Sequence, residues 1–196
     1  MSGIQLGDLV SFLHESFPIN PNLAIGDPKR AIEQFYAEEI GTVQVLCNPV
    51  PELSQGDILT SIPFIDFSDD GKLFHFIAPG MIVTSSCDLD RKDKIVFCPC
   101  FPLEQFRALK AYKEISKNHV FEFFFIGRVS TGEEWVVDLS NLMTLRRSRV
   151  FHQIQTESIS RMHSLTRIGW YIFITKFSMK YFRPDDPENM RLRETM

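Results

Sequence analysis

The sequence lacks most of what marks the specialised classes of protein. There is no excess of basic charge: 21 Lys and Arg stand against 25 Asp and Glu, for a formal net charge of −4. A dedicated nucleic-acid coat, which needs a basic domain, is thereby disfavoured. Nor is there a long hydrophobic run. The longest nearly uncharged stretch, Ile168 to Phe177, contains Lys176 and falls far short of the ~20 residues that span a bilayer. Met1 to Leu9 carry Asp8 and no Lys or Arg, so the charged start of a secretory leader is missing. A cytoplasmic location without membrane contact is expected. Cysteine is scarce, at Cys47, Cys87, Cys98 and Cys100, and without export these should be reduced thiols. Cys98-Pro99-Cys100, with Cys87 and either His75 or His119, falls short of the two close pairs common in zinc sites. Buried thiols are expected, with no metal and no cofactor. The five histidines show no short helical spacing, and repeats and low-complexity segments are absent.

Apolar residues, by contrast, are plentiful. Hydrophobic content is 44%, with 18 Phe, enough for a chain of this size to bury roughly 70% of the surface its unfolded form exposes. Leu6, Leu9, Val10 and Leu13 have helical spacing within Ile4 to Phe17. Asp27-Pro28 reads as an N-cap and first-turn proline for a helix to Ile40, closed by Gly41. From Thr42 the period changes to that of strands. Short strands are expected to Cys47, from Gly56 to Pro63, over Lys72 to Ile77, Met81 to Ser85 and Ile95 to Cys100, with Pro79-Gly80 as a break. A helix over Leu103 to Ser116 follows, then a hairpin of Val120 to Ile126 with Trp135 to Leu139. Phe121, Phe123, Phe124 and Phe125 should cover both faces of their strand. Ser140 to Val150 reads as a strand with a basic exposed face, carrying Arg146, Arg147 and Arg149. Thr156 should cap a final helix reaching Phe182, with Ile159, Met162, Leu165, Trp170, Phe173 and Phe177 around its axis. Short turns between strands and segregated helices make an antiparallel α+β fold.

One stretch has the character of a site. Ile82-Val83-Thr84-Ser85-Ser86-Cys87-Asp88-Leu89-Asp90-Arg91 is an apolar strand that delivers small polar groups, a thiol and a carboxylate into a turn. Sites commonly sit on such loops because the sheet holds them still. Ser85, Ser86, Cys87, Asp88 and Arg91 are the binding candidates. Cys87 is a candidate nucleophile if Arg91 or a histidine favours its thiolate, while Asp88 opposes that. The plainer reading is that Ser85, Ser86 and Asp88 satisfy backbone donors in a tight turn.

Gly56-Asp57-Ile58-Leu59, then Gly80-Met81-Ile82-Val83 with Ser85-Ser86, then Lys94-Ile95-Val96-Phe97-Cys98-Pro99 resembles the PemK/MazF family of toxin-like barrels over about residues 55–102. The resemblance implies a small, strongly bent antiparallel barrel like an SH3 domain. It then divides the chain, as a single domain over 1–196, into a helical extension (1–40), a barrel (42–150) with an inserted helix (103–116), a C-terminal helix (156–183) and a tail (184–196). Family ribonucleases carry an Arg-Pro pair before the second strand, where this chain has Ala78-Pro79-Gly80. They also carry a hydroxyl after the third-strand proline, where Cys100-Phe101-Pro102 stands here. Phosphodiester cleavage needs a group to stabilise phosphate charge and a placed acid or base. The sequence therefore points to a catalytically divergent barrel that binds a protein partner or itself, and Thr84 to Leu89 resemble accessory proteins of bacterial toxin-antitoxin or phage-defence loci. The rival readings are an endoribonuclease using Arg91, Arg128, His75 or Cys87, with RNA as partner, and a thiol-dependent enzyme at Cys87.

Overall fold

The computed structural model describes residues 45–181. The helices expected over 4–17 and 28–40, and the tail over 184–196, lie outside the described residues. The described chain is a mixed α+β unit with an eight-stranded antiparallel sheet and four helices. In chain order these are β1 (Leu46–Cys47), β2 (Ile58–Phe67), β3 (Leu73–Ile82), α1 (Ser86–Leu89), β4 (Lys94–Pro102), a 3-10 turn (Leu103–Phe106), α2 (Tyr112–Ser116), β5 (Phe123–Arg128), β6 (Glu134–Asp138), β7 (Met143–Arg146), α3 (Arg147–Gln155), β8 (Arg161–Leu165) and α4 (Arg167–Tyr181).

The sheet runs β1-β8-β2-β3-β4-β6-β5, with β7 also on β4. Strand β4 pairs with β7 through Lys94–Phe97 and with β6 through Cys100–Pro102, so one strand serves two partners along its length. No ladder joins the end strands β1 and β5, and the path stays open.

Alternation along the strands divides the core. Ile58, Met81 and Cys98 face one cluster, which Phe124, Phe173 and Leu165 complete beneath α4. Leu59, Ile82 and Phe97 face the other, closed by Leu89 of α1 and Val150 of α3. On β5 the expected two-sided cover is found: Phe124 is fully buried 6.0 Å from Phe173, while Phe123 and Phe125 pack on Leu103, Ile115 and Val136. Helix α4 buries Gly169, Ile172, Phe173 and Lys176, the spacing of one helical face. Its glycine is required by proximity, since a Cβ at Gly169 would sit 2.4 Å from the Val45 carbonyl oxygen.

Several expected elements differ. Pro79-Gly80 does not break the chain: β3 runs through both, and Gly80 lets β3 lie against Ile62 and Phe64, where a Cβ would come within 2.9 Å of Ile62. The helix expected over 103–116 is a 3-10 turn and the separate α2. Ser140 to Val150 divides into β7 and the start of α3. The long helix from Thr156 is a strand followed by a helix. Thr156 ends α3, its hydroxyl donating to the His152 carbonyl at 3.0 Å. The hydroxyl of Thr166 accepts the Gly169 N–H at 3.1 Å, as an N-cap does. Ile159, Met162 and Leu165 matched a helix only because the intervening strand is short.

Candidate functional site

The corner between β3 and β4 uses most of its polar groups internally. Thr84 Oγ1 accepts the Val96 N–H at 2.8 Å, and Ser86 Oγ accepts the Gln55 N–H at 3.0 Å. The Asp88 N–H donates to the Ser85 carbonyl at 2.9 Å. Cys87 is exposed, with its sulfur 2.9 Å from Ser85 Oγ. No cation or imidazole is hydrogen-bonded to the thiol among the described residues. Arg91 is exposed, and its side chain makes no hydrogen bond or ion pair among the described residues. Gln55, which the sequence reading passed over, ties this corner to the last helix. Its side-chain amide donates to the Val83 carbonyl at 2.6 Å, and its oxygen accepts the Trp170 indole N–H at 2.9 Å. The corner is a brace.

Arg128 lies elsewhere. It lines an open cleft of about 530 Å³ with Val129 and Ser130 on one side, Leu46, Cys47 and Asn48 on the other, and His163 of β8 between them. This is the seam where β1 and β5 fail to pair. The buried His163 ring bridges it, with Nε2 accepting the Ser130 N–H at 3.3 Å. Burial lowers the pKa of this imidazole, opposed by a hydrogen bond with the Cys47 backbone. The Cys47 thiol donates to the Ser164 carbonyl at 3.5 Å. Arg128 is largely exposed, with Nε 3.8 Å from Glu134. Neither Arg91, His75 nor Cys87 lines this cleft, so the groups proposed to converge are on separate elements.

The motif carrying the family resemblance has a visible structural task. Asp57 is fully buried. Its carboxylate accepts from Arg161 Nη2 at 2.6 Å, the Ser54 N–H at 2.9 Å and the Ser164 hydroxyl at 2.5 Å. Arg161 also donates to the carbonyls of Pro51 and Glu52, while its Nε has no hydrogen-bond partner among the described residues. Gly56, at φ +88, lies against Leu165. Together they fasten the segment before β2 onto β8. Cys98 and Cys100 are buried, and burial raises both thiol pKa values. Among the described residues no three His, Cys, Asp or Glu gather where they could hold a metal. No helix among them is long and apolar enough to cross a membrane.

An exposed apolar surface lies on the outer part of the β2–β3 hairpin. Pairs Pro63–Ile77, Ile65–His75 and Phe67–Leu73 are in register and therefore share a face. On the opposite face Phe64 and Phe76 are covered by a ring series, Phe64–Phe76 at 5.5 Å, Phe76–Phe101 at 5.9 Å, Phe101–Phe106 at 6.1 Å and Phe106–Phe123 at 4.9 Å, while Phe74 at its outer end is 43% exposed. No described residue covers the first face. Ile65 is 49% exposed, Phe67 66%, Leu73 62% and Ile77 72%. An apolar set on the solvent face of a strand pair is an alternation that sequence inspection can find; here the interior phenylalanines on the other face masked it.

No protein-family model matches the chain, and no curated protein matches it. Among solved structures it is similar to an endoribonuclease in complex with its cognate antitoxin from Mycobacterial species, at 10% identity and a TM-score of 0.41, over 69% of this chain and 100% of that one. A TM-score of this size leaves fold and function to the chain's own residues.

Proposed function

We propose that this chain works by binding a protein through the uncovered face of its β2–β3 arm, as a catalytically divergent relative of PemK/MazF barrels in a bacterial toxin-antitoxin or phage-defence setting. The carrying observation is the row of Ile77, Ile65, Leu73 and Phe67, all more than 40% exposed on one face. A single exposed leucine means little, but a contiguous apolar patch marks an interaction site. The two-partner strand β4 and the antiparallel β2-β3-β4 order support the barrel kinship.

Catalysis has weaker support. Ala78 and Gly80 are buried within β3, where the family's arginine would be sought. The cleft beside Arg128 is the best seat for a ribonuclease reading, yet its imidazole is committed to Ser130 and Cys47, and burial lowers its pKa. A thiol reaction at Cys87 would rest on Ser85 alone.

Site-specific photocrosslinking in the producing cell tests the proposal. A photoreactive residue replacing Ile77 should give one discrete protein adduct, and the same residue replacing Leu109, also exposed but away from the arm, should not. Equal labelling at both positions, or none at Ile77, would refute the proposal.

A further inference from the structure

We infer that His163 is a proton-operated latch: its neutral ring holds the seam between β1 and β5 shut, and its protonation lets the seam open. The inference is independent of the arm and its partner. No strand ladder joins β1 to β5. Among the described residues, the bond from the Ser130 N–H to His163 Nε2 is the one hydrogen bond that crosses the cleft. An imidazole can serve that bond in one protonation state only. Because Nε2 accepts from Ser130, the neutral ring carries its hydrogen on Nδ1. The hydrogen bond with the Cys47 backbone, which favours the charged form, is one that a ring N–H donates. The imidazolium has a hydrogen on both nitrogens. Its Nε2–H would confront the Ser130 N–H, donor against donor, and leave that amide without an acceptor.

Once the seam is open, water reaches the ring and it takes up a proton at its ordinary value of 6.5. Protons therefore bind the open form in preference to the closed one, which is the condition for a population shift. Burial lowers the pKa of the closed ring, so the latch holds fully above about pH 6.5 and weakens as pH falls below it. The hairpin carrying Ser130 has a hinge. Strand β5 is bulged between Phe125 and Gly127, Gly127 stands at φ +77, and a Cβ there would meet nothing within 4 Å. Swinging the segment beyond Gly127 uncovers Leu46 and Val129, which are buried at the walls of the cleft. The charged groups on the surrounding elements are engaged elsewhere. Arg128 faces Glu134, Glu133 accepts from Thr131 and Trp135, and Arg161 pairs with Asp57. On α4, Arg167 lies over Tyr171 and Lys176 is bonded to two carbonyls. The Cys47 thiol is turned to the Ser164 carbonyl.

Amide exchange resolved by NMR on the full chain tests this, with rates corrected for the intrinsic effect of pH. Protection of the Ser130 amide should fall severalfold from about pH 7.5 to about pH 5, with the midpoint of the His163 imidazole titration. The Val96 amide, bonded to Thr84 at the far corner, should keep its protection and so report that the fold is intact. In His163→Gln the side-chain oxygen can still accept from Ser130 and nothing titrates, so protection at Ser130 should stay level across the same range. Level protection at Ser130 in the wild type overturns the inference, as does a fall that Val96 shares or that His163→Gln retains. Should that variant fail to fold, the wild type decides alone: a loss of Ser130 protection whose midpoint departs from the imidazole titration overturns the latch.

Discussion

Replacing Asp57 by alanine is expected to be among the most damaging single changes to this protein, costing about 3–5 kcal/mol, the range for removing one partner of a buried ion pair. The carboxylate is fully buried and holds Arg161, Ser164 and the Ser54 amide at once. Its loss leaves the guanidinium, only 18% exposed, facing two carbonyls with no counter-charge. Arg161→Met should cost a comparable amount, because it strands the fully buried Asp57 carboxylate with the Ser54 N–H and the Ser164 hydroxyl as its remaining donors. The double variant should be closer to Arg161→Met than to the sum of the two, since removing both members of a buried pair is commonly mild. Urea unfolding of the four proteins measures this. Strict additivity would mean that the pair does not act as a unit.

The second large effect concerns Lys176, fully buried on the inner face of α4. Its amine donates to the Asn118 carbonyl at 2.7 Å and the Val120 carbonyl at 2.8 Å. Burial pushes its pKa down to about 7, opposed by Glu122. A neutral amine has two hydrogens, which match the two carbonyls. Because the folded value is depressed below the unfolded 10.5, the stability from this group is fully present above about pH 10.5 and is lost as pH falls toward 7. Lys176→Met keeps the aliphatic stem and loses the donors, at about 1–3 kcal/mol where the amine is neutral. Its deficit relative to wild type should therefore widen from pH 7 to pH 10 and narrow toward neutrality. Cys98, Cys100 and Tyr181, whose pKa values burial raises, weaken both proteins at alkaline pH and cancel in the difference. Paired thermal melts across that range read it directly, and a constant deficit would show that Lys176 stays charged when buried.

These two residues also show what the sequence conceals. The antiparallel α+β class, the β3-to-β4 corner, and the two-faced packing of Phe123 to Phe125 followed from alternation and turn residues, which are local. Gly56-Asp57 was noticed as a motif, but its role depends on Arg161 and Ser164, more than 100 positions away in the chain. Lys176 read as a stray charge in an apolar helix because its acceptors lie 58 and 56 positions earlier. Of the site candidates, Ser85 and Cys87 are in contact and Ser86 braces Gln55; Arg91 stands apart, and Arg128 lies across the molecule in the seam with His163. Register through Pro79-Gly80 was equally hidden, since proline and glycine usually interrupt strands. Once β3 is known to be continuous, the exposed row from Ile77 to Phe67 follows from a period of two.

That row is the centre of the account, and amide hydrogen exchange on the intact chain, drawn with its partner from the producing cell, probes it most directly. A ribbon left bare on one face should fray, so covered arms should show slow exchange at the paired amides of residues 64–67 and 73–77, with Ile77→Glu restoring fast exchange there and nowhere else. Fast exchange throughout the arm of the wild-type protein, drawn in the same way, would contradict the claim that anything docks on it.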